Sequence, residues 1–289
     1  MAGAVAGYFP LVRPLNVVMS AVAVAIGGVV AVGPEGLAAP GRGIGTAPLV
    51  LDLAWASLSA ALFAAAGNVL NDYFDRDVDK RNHPDRPIPS GEVSPTQARR
   101  LAVELFLVSI VALGVTANGT LLAIWAVNLA AMVAYERTFK GRGLSGNLLV
   151  AYLVGSLFIF GGVAVAPLFA ADVLLRSGVL VLLAAVATLG REIVKDIEDV
   201  AGDVNRVTLP KRIGVGPAGA AAAVAFGSGV ALSVVPWLAN VLGPGYVLVA
   251  VADGMFIYAA MVSARRPSSS QRVAKYAMLA ALLAFLLGA

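Results

Sequence analysis

Long runs of apolar residues recur along the chain and are separated by short polar segments. A helix needs about 20 mostly apolar residues to span the hydrocarbon core of a bilayer. By this measure the pattern predicts nine spanning helices, at residues 14–33, 49–72, 94–116, 119–136, 146–166, 173–195, 216–237, 245–263 and 273–288. The connections between them are too short to form a separate soluble domain. We therefore expect a single all-α membrane domain over residues 1–289.

The composition points to the same class of protein. Of the 289 residues, 59% are hydrophobic and 13% are charged, and the mean hydropathy is +0.86. Soluble domains carry about 25% charged residues, so the chain is expected to be a polytopic membrane protein. The first ten residues contain no basic segment ahead of the first apolar run, so we expect no removable signal peptide.

The basic residues predict the orientation in the membrane. Of 21 Lys and Arg, only Arg42 and Arg176 lie in the connections after the first and fifth helices. The others lie in the N-terminal arm or around the connections after the second, fourth, sixth and eighth helices. Because Lys and Arg concentrate in cytoplasmic loops, we expect the N-terminus inside and the C-terminus outside. The net charge of +4 is then explained by orientation and by contact with anionic lipid, and we expect no nucleic-acid partner.

Acidic residues interrupt the pattern where the second helix ends. Asn68, Asp72, Asp75 and Asp79 are spaced so that, at 100° per residue, they share a helix stripe about 60° wide. Asp77 points the opposite way. The same spacing returns 124 residues later, at Glu192, Asp196, Asp199 and Asp203. We refer to these two sets of four residues as the first and second acidic stripes.

Carboxylates near mid-membrane cost about 2.5–3.5 kcal/mol each on insertion scales, so a compensating cation is expected. The chain has no Cys and one His. A metal would therefore be held by oxygen, which favours Mg²⁺, Mn²⁺ or Ca²⁺. Mg²⁺ commonly completes its shell with substrate phosphates, and a basic loop follows each stripe. The two stripes therefore predict metal ions around a diphosphate, with Arg and Lys on its outer oxygens.

A cavity continuous with the bilayer suits a polyisoprenyl diphosphate, whose tail can lie among apolar helices. Metal and basic residues would stabilise the diphosphate as the allylic C–O bond ionises. Aromatic faces would steady the allylic cation until a second substrate captures it.

Three segments resemble the UbiA superfamily of intramembrane prenyltransferases. They are Asn71-Asp72-x-x-Asp75-x-x-x-Asp79, the Arg-Pro-Ile-Pro-Ser-Gly run at 86–91, and Asp196-x-x-Asp199-x-x-x-Asp203. The resemblance implies nine helices around a central cavity, with a cytoplasmic cap formed by the 2–3 and 6–7 connections. It also implies Mg²⁺ bound to the prenyl diphosphate. By position, the metal ligands would be Asn68, Asp72, Asp75 and Asp79 in one site and Asp196, Asp199 and Asp203 in the other, with Glu192 added from its spacing.

The resemblance also assigns candidate roles. Lys140 and Lys195 match the family's basic residues after the fourth helix and before the second motif. Asp72, Asp75, Asp196, Asp199 and Lys195 are the expected catalytic set. The expected substrate-binding residues are Arg13, Asn16, Lys80, Arg86, Tyr135, Arg137, Lys140, Arg191 and Arg206.

Several of these residues have plainer interpretations. Arg13 could serve as an interfacial anchor, and Arg137 and Lys140 could form a positive loop that sets orientation. Asp253 lies inside the eighth predicted helix, where a carboxylate is either functional or satisfied by nearby Tyr residues.

Arg13-Pro14-Leu15-Asn16 and the segment from Gly190 to Asp199 look most like the archaeal ether-lipid branch of the superfamily. The resemblance implies transfer of geranylgeranyl from its diphosphate to the hydroxyl of geranylgeranylglyceryl phosphate in the cell membrane, with the active site facing the cytoplasm. Arg13, Lys80, Arg86 and Arg206 are candidates to bind the acceptor phosphate. An aromatic acceptor, 4-hydroxybenzoate or another quinone precursor, would use the same metal site and stays an alternative.

Two other classes fit less well. CDP-alcohol phosphotransferases carry an Asp-Gly-x-x-Ala-Arg signature, which the chain lacks. A cation channel or transporter would need acidic residues across the bilayer, whereas the acidic residues here cluster at one predicted face beside basic loops.

Overall fold

The computed structural model describes residues 2–43, 47–171, 173–202 and 206–289. Over these ranges the chain is almost wholly helical. The described residues form no β-strand, and an isolated antiparallel bridge joins Pro40 to Pro48. The predicted all-α class is confirmed.

Twelve α-helices follow one another along the described chain. They are α1 (Ala2–Val12), α2 (Pro14–Gly36), α3 (Leu49–Asn82), α4 (Pro95–Gly114), α5 (Gly119–Ala134), α6 (Leu144–Val165), α7 (Gly178–Glu198), α8 (Leu209–Ile213), α9 (Val215–Leu232), α10 (Val235–Leu238), α11 (Val249–Val262) and α12 (Pro267–Gly288). A π-helical turn, Tyr135–Phe139, extends α5, and another, Val173–Ser177, precedes α7. A 3-10 turn, Pro244–Leu248, leads into α11.

Eight helical segments of the described chain are long and apolar enough to cross a membrane, so the protein is a multi-pass membrane protein. They coincide with eight of the nine predicted spans. The remaining span forms α4, which is 20 residues long but carries Arg99, Arg100 and Glu104 in its first half.

Some helix bounds differ from the predicted ones because hydropathy follows only apolar surface. Helix α3 continues to Asn82, past the predicted end at residue 72, and its last turns carry the first acidic stripe. Helix α12 begins at Pro267, before the predicted start at residue 273, because its first turn is polar. Helix α1 has 11 residues, which are too few to span a bilayer. None of the nine predicted spans covers it.

Local sequence explains several helix starts. The Ser94 hydroxyl accepts from the backbone N–H of Gln97, whose side chain accepts in return from Ser94, forming a capping box at the start of α4. The Asn118 side chain accepts from the first N–H groups of α5. The predicted start of α4 after Ser94 is therefore confirmed.

Helices α2 and α6 approach each other closely through glycines. A Cβ at Gly27 would overlap the carbonyl oxygen of Phe158, and a Cβ at Gly161 would overlap that of Val24. The small residues of α2 therefore serve contacts within the chain, and their packing resembles the small-residue interfaces of membrane helices.

Two groups of helices enclose the central space. One apolar cluster joins α2, α3, α5 and α6, and another joins α7, α9, α11 and α12. A third cluster, with Phe158, Tyr246 and Phe285 among its members, connects the groups at the end of the bundle away from the acidic stripes. This arrangement leaves a cavity that is polar at one end and apolar at the other.

Candidate active site

The carboxylates of the first acidic stripe are buried on one face of α3. Asp72, Asp75 and Asp79 are 4%, 8% and 4% exposed. By contrast, the side chain of Asp77 is 68% exposed and lies 3.3 Å from Lys80 Nζ. The helix thus directs three carboxylates into the protein and the fourth toward its surface, as the spacing predicts.

Two arginines from outside the helix pair with these carboxylates. Arg13 donates to Asp72, and Arg86 Nη1 lies 2.6 Å from Asp79 Oδ2 and 3.7 Å from Asp72 Oδ1. Arg13 separates α1 from α2 and has a φ of 52°, a left-handed conformation uncommon outside glycine. Such conformations cluster at functional sites, and here the turn brings the guanidinium against α3.

The π-helical turn after α5 supplies the next basic group. Its backbone bond from the Lys140 N–H to the Tyr135 carbonyl spans five residues, a geometry frequent at functional sites. Lys140 Nζ lies 2.8 Å from Asp75 Oδ2 and 2.7 Å from Glu136 Oε2. Glu136 also accepts from Asn71 at 3.0 Å. Lys140 therefore ties the end of α5 to the middle of the first acidic stripe.

Connections between helices complete this polar end. Arg206 donates to Asp75, and the Val207 N–H donates to the Gly141 carbonyl at 2.8 Å. The segment after α3 is held by Ile88 and Val93, which pack in one cluster with residues of α1, α3 and α4. The segments after α3, α5 and α7 thus converge over the acidic side chains.

The second acidic stripe faces the same region from α7. Glu192 is 8% exposed and lies 3.2 Å from Arg191 Nη1 and 3.5 Å from Lys195 Nζ. Asn147 Nδ2 donates to Asp196 Oδ2 at 3.0 Å. Asp203 lies outside the described residues.

A single polar pocket is lined by Asp75 and Asp79 of the first acidic stripe and by Glu192, Asp196 and Asp199 of the second. Its acidic lining residues come from α3 and from the end of α7, and its five basic residues come from five different elements or connections. Its charged lining residues are Arg13, Asp75, Asp79, Arg86, Lys140, Glu192, Lys195, Asp196, Asp199 and Arg206. Carboxylates of both stripes therefore line one polar space.

The polar pocket adjoins a larger, mostly apolar cavity of about 470 Å³. Both are lined by Arg13, Asn71, Arg86, Tyr135, Glu192 and Lys195. Deeper in the cavity the lining is apolar and includes Leu157, Leu183 and Phe285. Asp253 lines this cavity too and accepts from the Ser233 hydroxyl at 2.8 Å, whereas the Tyr246 hydroxyl donates to the Ser233 carbonyl.

Not every predicted residue reaches these spaces. Arg137 and Lys80 are exposed and line neither the polar pocket nor the cavity. Asp72 also lines neither space, because it is buried against Arg13 and Arg86. Asn68 lines the cavity, but its amide nitrogen donates to the Val12 carbonyl at 2.8 Å. Asn16 and Arg191 line the cavity at its polar end.

The donor set of the polar pocket fits an oxygen-bound divalent cation. Five carboxylates from α3 and α7 line it, and carboxylates are the protein ligands that Mg²⁺ prefers. Among the described residues, no three acidic or His side chains converge on a common point. Instead, the acids of the first stripe lie against basic residues, namely Arg13, Arg86, Lys140 and Arg206. The set fits a cation shared with an anionic substrate that accepts those basic groups.

Sequence reasoning missed several residues of the site. Glu136 accepts from Lys140, and Asn147 donates to Asp196. The spacing of four residues between Glu136 and Lys140 could have indicated that Glu136 belongs to the site. Gln271 and Lys275, on α12, line the cavity at its polar end. Their spacing from Met278, Leu282 and Phe285 is that of one helix face, which could have been read from the sequence.

A membrane-embedded bundle with a charged pocket open to an apolar cavity defines an enzyme-like site for an amphiphilic anion. Comparisons with known proteins also indicate a membrane-embedded enzyme. A sequence model of the UbiA prenyltransferase family matches residues 21–286. The chain therefore belongs to the UbiA prenyltransferase family and is an enzyme of the prenyl-transferring class.

One relative and one solved structure are similar to this chain over nearly its whole length. The chain is 42% identical over 287 residues to a digeranylgeranylglyceryl phosphate synthase of Halobacterium salinarum, covering 98% of this chain and 96% of that protein. A solved structure described for digeranylgeranylglyceryl phosphate synthase in membranes superposes with a TM-score of 0.70 at 29% identity, covering 99% and 98% of the two chains.

A more distant structure shares the fold. It is a UbiA homolog from Archaeoglobus fulgidus bound to GPP and Mg²⁺, with a TM-score of 0.57 at 12% identity, covering 97% of this chain and 99% of that one.

Proposed function

We propose that this enzyme transfers a geranylgeranyl group from its diphosphate to the free hydroxyl of geranylgeranylglyceryl phosphate, forming the second ether bond of an archaeal membrane lipid. The observation that carries the proposal is a polar pocket that opens onto an apolar cavity and holds carboxylates of both stripes, namely Asp75, Asp79, Glu192, Asp196 and Asp199. The identity of 42% to a digeranylgeranylglyceryl phosphate synthase over nearly the whole chain supports the choice of acceptor.

We infer that Asp72, Asp75 and Asp79 on α3, and Glu192, Asp196 and Asp199 on α7, hold Mg²⁺ together with the diphosphate. Asn68 and Asp203 complete the predicted ligand sets. When bound, Mg²⁺ supplies positive charge that stabilises diphosphate as a leaving group. The UbiA homolog bound to GPP and Mg²⁺ supports this choice of cation.

The basic residues of the pocket hold the donor in place. Arg13, Arg86, Arg206 and Lys140 reach the acidic stripes from separate segments. Arginine matches phosphate geometry with two parallel donors, so these side chains can turn from the carboxylates to the outer oxygens of a diphosphate. Lys195, 38% exposed in its side chain, lies at the boundary between pocket and cavity.

The cavity orients the hydrocarbon part of the donor. An apolar chain with its diphosphate in the polar pocket extends toward Leu157, Leu183 and Phe285. Its reacting carbon then lies near Tyr135, which lines both spaces and offers an aromatic face to a developing cation. The reaction requires that water be kept from this position, because water would otherwise capture the cation.

We also propose that the polar pocket faces the cytoplasm, with the N-terminus inside and the C-terminus outside. The uneven distribution of Lys and Arg among the connections supports this orientation, and the segments after α3 and α7 would then form a cytoplasmic cap. The lipid bilayer supplies both prenylated substrates from the side.

The test uses purified protein in detergent with Mg²⁺ and radiolabelled geranylgeranyl diphosphate, offered geranylgeranylglyceryl phosphate and 4-hydroxybenzoate in parallel. We expect product from the glycerol lipid alone and loss of that product with EDTA. Product from the aromatic acid alone would overturn the acceptor, and product that resists chelation would overturn the metal assignment.

A further inference from the structure

The polar end of the cavity has a second basic region, formed by Arg191 of α7 and Lys275 of α12. Lys275 lies on α12 and lines the cavity, as does Arg191 on α7. Neither residue lines the polar pocket that joins the acidic stripes. Two separate polar regions therefore open onto one apolar space.

Lys275 differs from the basic residues of the polar pocket in its partners. Arg13, Arg86, Lys140 and Arg206 each pair with a carboxylate. Within the described part of the chain, no acidic residue is among the charged groups that act on Lys275. The charged groups that act on it most are Arg191 and Arg13, both positive.

Arg191 also retains unused hydrogen-bonding capacity. Its Nη1 lies 3.2 Å from Glu192 Oε1, but its Nε is buried without a hydrogen-bond partner. A buried donor without a partner is unfavourable, and like charges held together in a low-dielectric cavity repel. Both features are relieved by an anion placed between α7 and α12.

The face of α12 indicates the nature of that anion. Following Lys275 toward the apolar end, Met278, Leu282 and Phe285 line the same cavity at helical spacing. A ligand that follows this face would have an anionic head near Lys275 and a long apolar tail beyond it. On the proposed function, the acceptor has this form, because it joins a phosphate to a geranylgeranyl chain through glycerol.

We propose that Lys275 and Arg191 bind the phosphate of the prenylglyceryl phosphate acceptor, separately from the diphosphate of the donor. This assignment rests on the proposed function and adds Lys275. It replaces the earlier candidates for the acceptor's phosphate contacts, which were Arg13, Lys80, Arg86 and Arg206. A phosphate monoester carries about −1.5 to −2 charges at neutral pH, which two cations balance. The separation of the two anion sites keeps the acceptor phosphate out of the polar pocket.

The test measures binding and turnover in detergent with two acceptors, geranylgeranylglyceryl phosphate and geranylgeranylglycerol, which lacks the phosphate. Lys275→Gln is compared with Arg272→Gln, which removes the same charge from an exposed position of the same helix. Lys275→Arg keeps the charge. The dissociation constant of each acceptor is measured by calorimetry without donor, so that binding does not depend on turnover.

We expect Lys275→Gln to weaken binding of the phosphorylated acceptor by about 10- to 100-fold, the effect of losing one charge-assisted hydrogen bond. Its KM for this acceptor should rise similarly, with the KM for geranylgeranyl diphosphate unchanged. Geranylgeranylglycerol should bind wild type and variant equally weakly. Arg272→Gln should behave as wild type, and Lys275→Arg should restore most of the affinity.

Other outcomes separate the two proposals. If wild type binds the phosphorylated and unphosphorylated acceptors equally, or if Lys275→Gln weakens both equally, the phosphate site is wrong even where transfer occurs. If phosphate-dependent binding through Lys275 is found without transfer to the glycerol hydroxyl, the binding site stands and the proposed reaction fails.

Discussion

Lys140 Nζ lies 2.8 Å from Asp75 Oδ2, so that one ammonium group joins the turn after α5 to the middle of the first acidic stripe. The side chains of Lys140 and Asp75 are 9% and 11% exposed, and that of Glu136, the second partner of Lys140, is fully buried. This pair connects the basic and acidic sides of the polar pocket.

Lys140→Met is expected to lower both activity and stability. The substitution would remove the ammonium group from two buried carboxylates, so that Asp75 would keep only Arg206 and Glu136 would keep only Asn71 among the partners described above. Removing one member of a buried ion pair typically costs about 3–5 kcal/mol. Thermal unfolding in detergent and prenyl transfer are the measurements. Arg142→Met removes an exposed basic residue from the same connection and should change neither, and equal melting temperatures for the two variants would contradict the structural role.

Asp72→Asn is expected to reduce transfer by at least about 100-fold, because electrostatic stabilisation of the leaving group typically contributes several kcal/mol. Asp77→Asn provides the matched control, since Asp77 lies on the opposite, exposed side of the same helix. The measurement is kcat with saturating substrates. Comparable losses in both variants would show that the helix as a whole, rather than its buried stripe, is sensitive to charge.

Metal and donor are expected to bind together rather than in sequence. The basic residues already occupy the carboxylates, so Mg²⁺ alone should raise the melting temperature little. Mg²⁺ with geranylgeranyl diphosphate should raise it clearly, by the linkage between binding and stability. Differential scanning fluorimetry with each component alone and both together tests this. A full shift with Mg²⁺ alone would contradict it.

Gly161→Ala is expected to destabilise the protein by about 1–3 kcal/mol, the usual cost of overpacking. The new methyl group would meet the carbonyl of Val24. Gly254→Ala is the control, because a Cβ there meets nothing within 4 Å and alanine favours helix. Thermal unfolding of both variants is the measurement, and a tolerated Gly161→Ala would mean that α2 and α6 can separate slightly at no cost.

The spacing of residues in the sequence predicted which acidic side chains share a helix face, but it did not predict which basic residues pair with them. Helical periodicity placed Asp72, Asp75 and Asp79 on one face and Asp77 on the other, because that geometry depends only on the turn of one helix. The pairing of Arg13 with Asp72 joins residues 59 positions apart. It depends on the left-handed turn at Arg13, which local sequence does not specify for a residue other than glycine.

The role of α12 was hidden for a different reason. A single Lys near the start of an apolar helix is most often an interfacial anchor whose stem lies along the membrane. Only the packing of α12 against α7 and α2 shows that Lys275 faces the cavity. The eight spanning segments found in the described part of the chain, by contrast, follow from hydropathy almost without tertiary information. The membrane class of the protein was predictable from composition.

The glycine contacts of α2 and α6 also bear on how lipids reach the cavity. Where backbone lies against backbone, as at Gly27 and Gly161, no gap remains that a branched hydrocarbon chain could thread. The Ser177 hydroxyl adds a bond to the Gly27 carbonyl at 3.2 Å on the same side. The contact between α2 and α6 is therefore closed to lipids. Substrates that arrive from the bilayer, and the bulkier product that leaves, must pass between other helices.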